Sequence, residues 1–232
     1  MKTFLVSVAF ATGVALPAFA ADVPGGLGAA PGAVEQAWSG FYAGVSVGYG
    51  RSDFDWTDVD GDWDTPGSVY GSRAEGAVGG LQAGYNVQSG NFVYGVEADI
   101  SLADLSVTDN GAGSSNVTRD NGMDWFATVR GRAGFTAGPA LLYVTGGLAV
   151  AEFEHQWIED GDPDDSWPDF GETDVGFVVG GGVEAKVSQN ISLKAEALYL
   201  KFEDASSTND LDYEMVVDRD AVIARVGLNY HF

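Results

Sequence analysis

AVIARVGLNYHF, residues 221–232, alternates with a period of two. Val222, Ala224, Val226, Leu228, Tyr230 and Phe232 make one set. Ile223, Arg225, Gly227, Asn229 and His231 make the other. In a strand the two sets point to opposite faces. One face is wholly apolar and ends in two aromatics, while the other carries a guanidinium, an amide and an imidazole. A chain end in water tends to be polar and frayed. A strand with its apolar face in lipid and its polar face in a lumen reads in this way. Such a strand needs partners on both sides, because hydrocarbon offers nothing to an open sheet edge.

Seven further segments upstream show the same alternation. Their apolar sets begin with Phe41, Ala43, Val45, Val47 and Tyr49, and continue with Ala77, Gly79, Leu81, Ala83, Tyr85 and Val87. Later ones run through Phe92–Leu102, Trp125–Phe135, Leu142–Val150, Val175–Val187 and Ile191–Tyr199, always at every second residue. None of these sets contains a charge. The charges fall on the opposite parity: Glu97 and Asp99; Asp124, Arg130 and Arg132; Glu184 and Lys186; Lys194 and Glu196; Arg225. An Arg or Lys facing lipid at mid-depth costs about 2–4 kcal/mol, which is reason enough to point inward.

The connections alternate in length. Residues 86–91, 136–139 and 188–190 are short and hold Gly, Asn, Ser or Pro. Residues 53–73, 103–122, 152–173 and 203–218 are long. Structureless loops of that size argue against an assignment in a soluble domain. In an outer-membrane barrel, short periplasmic turns and long outer loops are the rule. Aromatics sort by depth on the same plan. Phe41, Tyr85, Phe92, Tyr94, Phe135, Tyr230 and Phe232 fall near the short turns, and Tyr49, Trp125, Phe177 and Tyr199 near the long loops. These are the two interfacial girdles. The fold expected is all-β: an eight-stranded antiparallel up-and-down transmembrane barrel.

The start of the chain fits export. Lys2 precedes an apolar stretch, Phe4 to Leu16, and Ala18-Phe19-Ala20 offers a small-x-small cleavage site. Residues 1–20 are therefore expected to be a cleaved signal peptide, 21–37 a flexible Gly/Pro/Ala-rich periplasmic tail, and 38–232 the barrel domain in the cell outer membrane. No cysteine is present, which excludes disulfides, thiolate metal sites and thiol nucleophiles. The net charge of −23 opposes binding to nucleic acid or to anionic membrane surfaces through bulk charge.

YNVQSGNFVYGVEADI (residues 85–100), LLYVTGGLA (141–149) and the closing VGLNYHF resemble the small outer-membrane β-barrel proteins of Gram-negative bacteria. These are the opacity or porin-like surface antigens, related in fold to the OmpA transmembrane domain. The resemblance implies that Tyr230 and Phe232 form the signal read by the barrel-assembly machinery, with periplasmic chaperones as partners on the way. It also implies contact with outer-membrane lipid and lipopolysaccharide. The peptidoglycan-binding domain of full OmpA-type proteins is not seen after Phe232.

An eight-stranded barrel is about wide enough inside for side chains alone. Glu97 and Arg130 should lie at similar depth on neighbouring strands, and Glu184 and Lys194 likewise. A lumen plugged by Glu97, Asp99, Arg130, Arg132, Glu184, Lys186, Lys194, Glu196 and Arg225 is expected. Gly95, Gly131, Gly180, Gly182 and Gly227 would give these long side chains room. The other reading of the same charges is a narrow ion path, making the chain a small-solute or cation-selective porin.

The acidic surplus lies in the loops. DFDWTDVDGDWD (residues 53–64) and EDGDPDD (159–165) form a mutually repelling, solvated surface open to a host or surface ligand. Asp58, Asp60 and Asp62 have the spacing of a calcium loop, and oxygen ligands suit Ca²⁺ or Mg²⁺. Trp63 stands where an EF-hand needs glycine, so the match is weak; the leading expectation is no cofactor, with divalent-cation or haem binding by the outer loops as a further alternative. Catalysis is unsupported, since His155 and His231 have no nucleophile at a demanding spacing. Haem ligation by His155 comes from the family resemblance alone. Haem titrated into the purified protein is expected to show no Soret shift; a shift would move function to the loops.

Overall fold

The computed structural model describes residues 38–59, 65–110, 117–159, 162–163, 170–203, 205–208 and 214–232. The expected signal peptide and tail lie outside these residues. Ten strands are present among them: β1 (Gly40–Asp58), β2 (Ser68–Ser89), β3 (Phe92–Asn110), β4 (Val117–Ala137), β5 (Ala140–Glu159), β6 (Asp162–Pro163), β7 (Phe170–Lys186), β8 (Ile191–Phe202), β9 (Ala205–Thr208) and β10 (Glu214–His231). The eight long strands follow the order β1-β2-β3-β4-β5-β7-β8-β10, all antiparallel, and β10 pairs back onto β1. The short β6 adds to β5 and β9 to β10. The sheet is a closed eight-stranded barrel, as the alternation predicts.

Closure uses the decisive stretch. β10 meets β1 from Tyr42↔His231 up to Asp58↔Met215 in unbroken register. The Phe232 amide donates to the Phe41 carbonyl at 3.0 Å, extending the seam one residue further. On the short-turn side, Gly90 and Gly138 each take a φ of 60°, a left-handed conformation that glycine adopts without steric cost.

All the apolar sets face outward. Exposure reaches 66% at Phe41, 63% at Val47 and 73% at Leu102. In water such exposure would be prohibitive, whereas in hydrocarbon it is the solvated state. The lower girdle is knit by edge-on ring pairs between adjacent strands, Phe41–Tyr85 and Phe92–Phe135, with centroids 4.7 and 5.6 Å apart.

The strands run well past the expected boundaries. Much of what reads as long loop is paired strand, with β1 continuing to Asp58 and β5 to Glu159. The reason is an inversion of polarity along the barrel. Up to Tyr49, β1 points apolar residues outward; beyond it Arg51, Asp53 and Asp55 point outward while Phe54 and Trp56 are buried inside. β8 changes in the same way, with Lys201 outside and Leu198, Leu200 and Phe202 inside. A test for outward apolar residues stops at this line, but the ladder does not. About 9–11 tilted residues span the hydrocarbon; the remainder of each strand stands above the membrane.

Two placements differ from expectation. Asp124 is exposed rather than inward, because the registers of β3–β4 and β4–β5 both shift there, between Leu102 and Leu105 and between Met123 and Trp125. Across this point β4 has one residue fewer than β3 and one more than β5, and its parity reverses above it. Gly131 faces outward, and a Cβ on it would meet only the Gly146 carbonyl oxygen at 3.9 Å, so it makes no room inside. A closed barrel of this kind should migrate faster on a detergent gel before boiling than after; unchanged mobility would contradict closure.

Candidate functional site: the charged lumen

The inward set supplies a compact polar layer in the membrane half of the barrel. Glu97, Asp99, Glu184 and Glu196 face Arg130, Arg132, Lys194 and Arg225, four of each sign, all at most 6% exposed. Glu97 lies opposite Arg130 in register, and Glu184 opposite Lys194, at the depths expected. The pairing is wider than adjacency suggests. Lys194 reaches across the barrel to Glu97 at 2.9 Å, joining strands on opposite walls. Glu184 turns from Lys194 to Arg132, at 2.8 Å. Arg130 holds Asp99 at 2.9 Å and Glu196 at 3.1 Å. Arg225 holds the same two acids, at 2.9 Å and 2.7 Å.

Neutral groups complete the layer. The Tyr42 hydroxyl donates to Glu97 at 2.7 Å and accepts from Arg132 at 2.9 Å. The Tyr143 hydroxyl donates to Glu196 at 2.9 Å, and its ring lies 4.2 Å from the Arg132 guanidinium carbon. Gln82 donates to Asn229 at 2.6 Å, and Asn229 donates onward to Glu184 at 2.8 Å. Two glycines admit these groups. A Cβ on Gly84 would sit 2.4 Å from the Tyr42 ring, and one on Gly182 would sit 2.7 Å from the Tyr143 hydroxyl. Buried ions repay their desolvation only when each is paired, and here every ion is, although Arg132 Nε itself has no hydrogen-bond partner.

Lys186 is placed differently. It is half-buried at the short-turn rim, donates to the Gln189 carbonyl at 3.4 Å and lies 5.3 Å from the Trp38 ring centre. Trp38 itself is fully buried, packed with Val93, Leu141 and Tyr143 at the short-turn end of the lumen. Sequence reasoning missed it because it precedes the first alternating residue. Tyr42 and Tyr143 carried a usable signal, being aromatics on the charged parity. Tyr230 and Phe232 lie in the lower girdle, 48% and 78% exposed. Asp58 points into the barrel and is buried, whereas Asp60 and Asp62 lie outside the described residues. The side chain of His155 is likewise outside them.

One constellation has the composition of a hydrolytic site. Ser192 lies 2.9 Å from His231 Nε2, and Glu184 lies 3.4 Å from the same nitrogen. In a working triad the acid holds the other ring nitrogen. Here serine and acid share one nitrogen, all three groups are buried, and His231 packs against Trp38 with ring centres 5.6 Å apart. The cluster ties β7, β8 and β10 together.

Comparison with known proteins agrees with this architecture. The family model described as "Outer membrane protein beta-barrel domain" matches residues 6–232. The chain belongs to that family. It is 35% identical to the 31 kDa outer-membrane immunogenic protein of Brucella melitensis, over all of both chains. It is 32% identical to the 22 kDa outer membrane protein of Rhizobium leguminosarum, over 83% of this chain and 78% of that one. In fold it is similar to the outer membrane protein OprG of Pseudomonas aeruginosa, with a TM-score of 0.57 at 13% identity, over 85% of this chain and 99% of that one. Family and fold place the protein in the cell outer membrane.

Removing one buried ion should be costly. Arg130→Ala leaves Glu97, Asp99 and Glu196 short of a partner and is expected to lower the unfolding free energy in urea by about 3–5 kcal/mol. Arg51, exposed above the membrane line, should be replaceable by Ala without measurable change.

Proposed function

We propose that this protein is a non-enzymatic surface component whose barrel is closed to solutes, contributing to the cohesion of the outer membrane and presenting acidic loops outward. The observation that carries this reading is the mutual satisfaction of the lumen charges. Every one of the eight ions of this layer has a partner of opposite sign within 3.1 Å. A selective pore needs charged groups that exchange their partners for a passing ion. Here each carboxylate already holds a cation supplied by another strand, and the aromatic rings of Tyr42, Tyr143 and Trp38 are buried in the lower lumen.

The outward role rests on charge and on relatives. The loops hold most of the acidic surplus in the sequence, and the Brucella relatives are named as immunogenic proteins of the outer membrane. Carbohydrate phosphates of the outer leaflet, bridged by divalent cations, are the partners that such a surface favours.

Refolded protein in a planar bilayer is expected to be electrically silent. Stable steps proportional to salt concentration would overturn the closed-barrel reading in favour of a porin. A strain lacking the protein should become more sensitive to detergent and regain resistance when the wild-type chain is restored.

A further inference from the structure

Two layers fill the lumen, and they differ in kind. Directly above the ion pairs lies a ring drawn from the inward faces of six strands: Val78, Leu105, Phe126, Val178, Leu198 and Ile223, all at most 4% exposed. It is tightly packed. A Cβ on Gly50 would sit 2.6 Å from Ile223 Cδ1, 3.0 Å from Leu105 Cδ2 and 3.2 Å from Val78 Cγ2. Side chains from β10, β3 and β2 therefore converge on the bare backbone of β1. Above this ring the apolar filling continues through Phe54, Phe153 and Phe202, whose rings meet edge-on at 6.0 and 5.0 Å. Arg219 enters at that upper level, over the Phe153 ring and paired with Asp174.

The charged layer below has the opposite character. On its β2–β3 wall, both amide atoms of Asn86, Oε1 of Gln82 and Oγ of Ser101 are buried without a hydrogen-bond partner. Buried polar atoms of this kind are the ones that internal water satisfies. Small inward residues line the adjoining β1 face, including Gly44, Ser46 and Gly48. A polar wall with small side chains and unspent hydrogen-bonding capacity admits water; a close-packed ring of Val, Leu, Ile and Phe does not.

We propose that the permeability barrier of this barrel is the apolar ring of Val78, Leu105, Phe126, Val178, Leu198 and Ile223, and that the ion-pair layer beneath it, between this ring and the Trp38 cluster, is hydrated. This rests on the closed-barrel reading and says where the closure lies. The ion pairs position strands and fill the membrane half. The ring excludes ions, because an ion entering it would shed its hydration shell and find nothing in return.

The test compares conductance in planar bilayers for three kinds of protein, each first shown to be folded by its heat-dependent gel mobility. Wild type is expected to be silent. Arg130→Met combined with Glu196→Gln removes one charge of each sign from the lower layer and is expected to remain silent. Leu198→Asn combined with Ile223→Asn keeps the number of side-chain heavy atoms but makes the ring polar and smaller, and is expected to give resolved, salt-proportional steps. Val78→Thr with Leu198→Thr, a milder pair, covers failure of the asparagine variant to fold and is expected to conduct as well. If the folded ring variants stay silent, or if the Arg130/Glu196 variant conducts, the ring is not the barrier. Conduction by wild type would instead remove the closed-barrel reading itself.

Discussion

Backbone amides and carbonyls cannot be left unpaired in hydrocarbon, and the rest of this structure depends on that constraint. A sheet meets it only by closing on itself. The cost of closure falls on β1 and β10, which are adjacent in the barrel but lie at opposite ends of the folded chain. Their seam holds from Tyr42↔His231 to Asp58↔Met215 without a register shift. Continuous pairing of this kind fixes which residues face in at every height. A slip of one residue would carry Arg225 to the lipid face and Val226 into the ion pairs.

Once closed, the barrel must be filled, and it is filled asymmetrically. Long side chains come mainly from β3, β4, β8 and β10. β1 offers Gly44, Ser46, Gly48, Gly50 and Ser52 on its inward face. A bulky wall thus leans across the lumen toward a thin one. Between the bulky strands themselves, Lys194 of β8 finds Glu97 of β3 on the opposite wall rather than the Glu184 beside it in register. Local pairing energies between neighbouring strands are small, of the order of 0.2–1 kcal/mol. Desolvation of a buried ion is several times larger, so the arrangement that satisfies every ion prevails over the one that satisfies neighbours.

That distinction marks what the sequence could disclose. Strand number, facing, the short turns and the depth of Glu97 beside Arg130 follow from a period of two and were legible. The partners were not, because they depend on how far each strand is staggered around the barrel, which no local pattern records. The outer halves of the strands were hidden for another reason. Asp53, Asp55 and Lys201 face outward there, so a search for apolar alternation ends at Tyr49 and Tyr199 and reads the rest as loop. Phe54, Phe153 and Phe202 lie on the inward parity of their strands, and a search for lumen charges passes over them. The bulge at Asp124 was invisible for a third reason, since one inserted residue leaves no mark in composition.

The polarity inversion shows how one chain satisfies two solvents with a single ladder. In the membrane half lipid demands an apolar exterior, and a polar interior keeps each strand only half apolar. A strand apolar on both faces would be a candidate for retention as a spanning helix during export, a fate that alternation with Glu97, Arg130, Lys194 and Arg225 avoids. Above the membrane line water takes over the exterior. The barrel there is built as any water-soluble barrel is, with Phe126, Phe153, Leu198 and Ile223 in the centre and carboxylates outside. The ion pairs and the apolar ring are then consequences of the same rule applied on either side of one boundary. Their contact, at the level of Arg225 and Ile223 two residues apart on one strand, is where a wet interior must give way to a dry one.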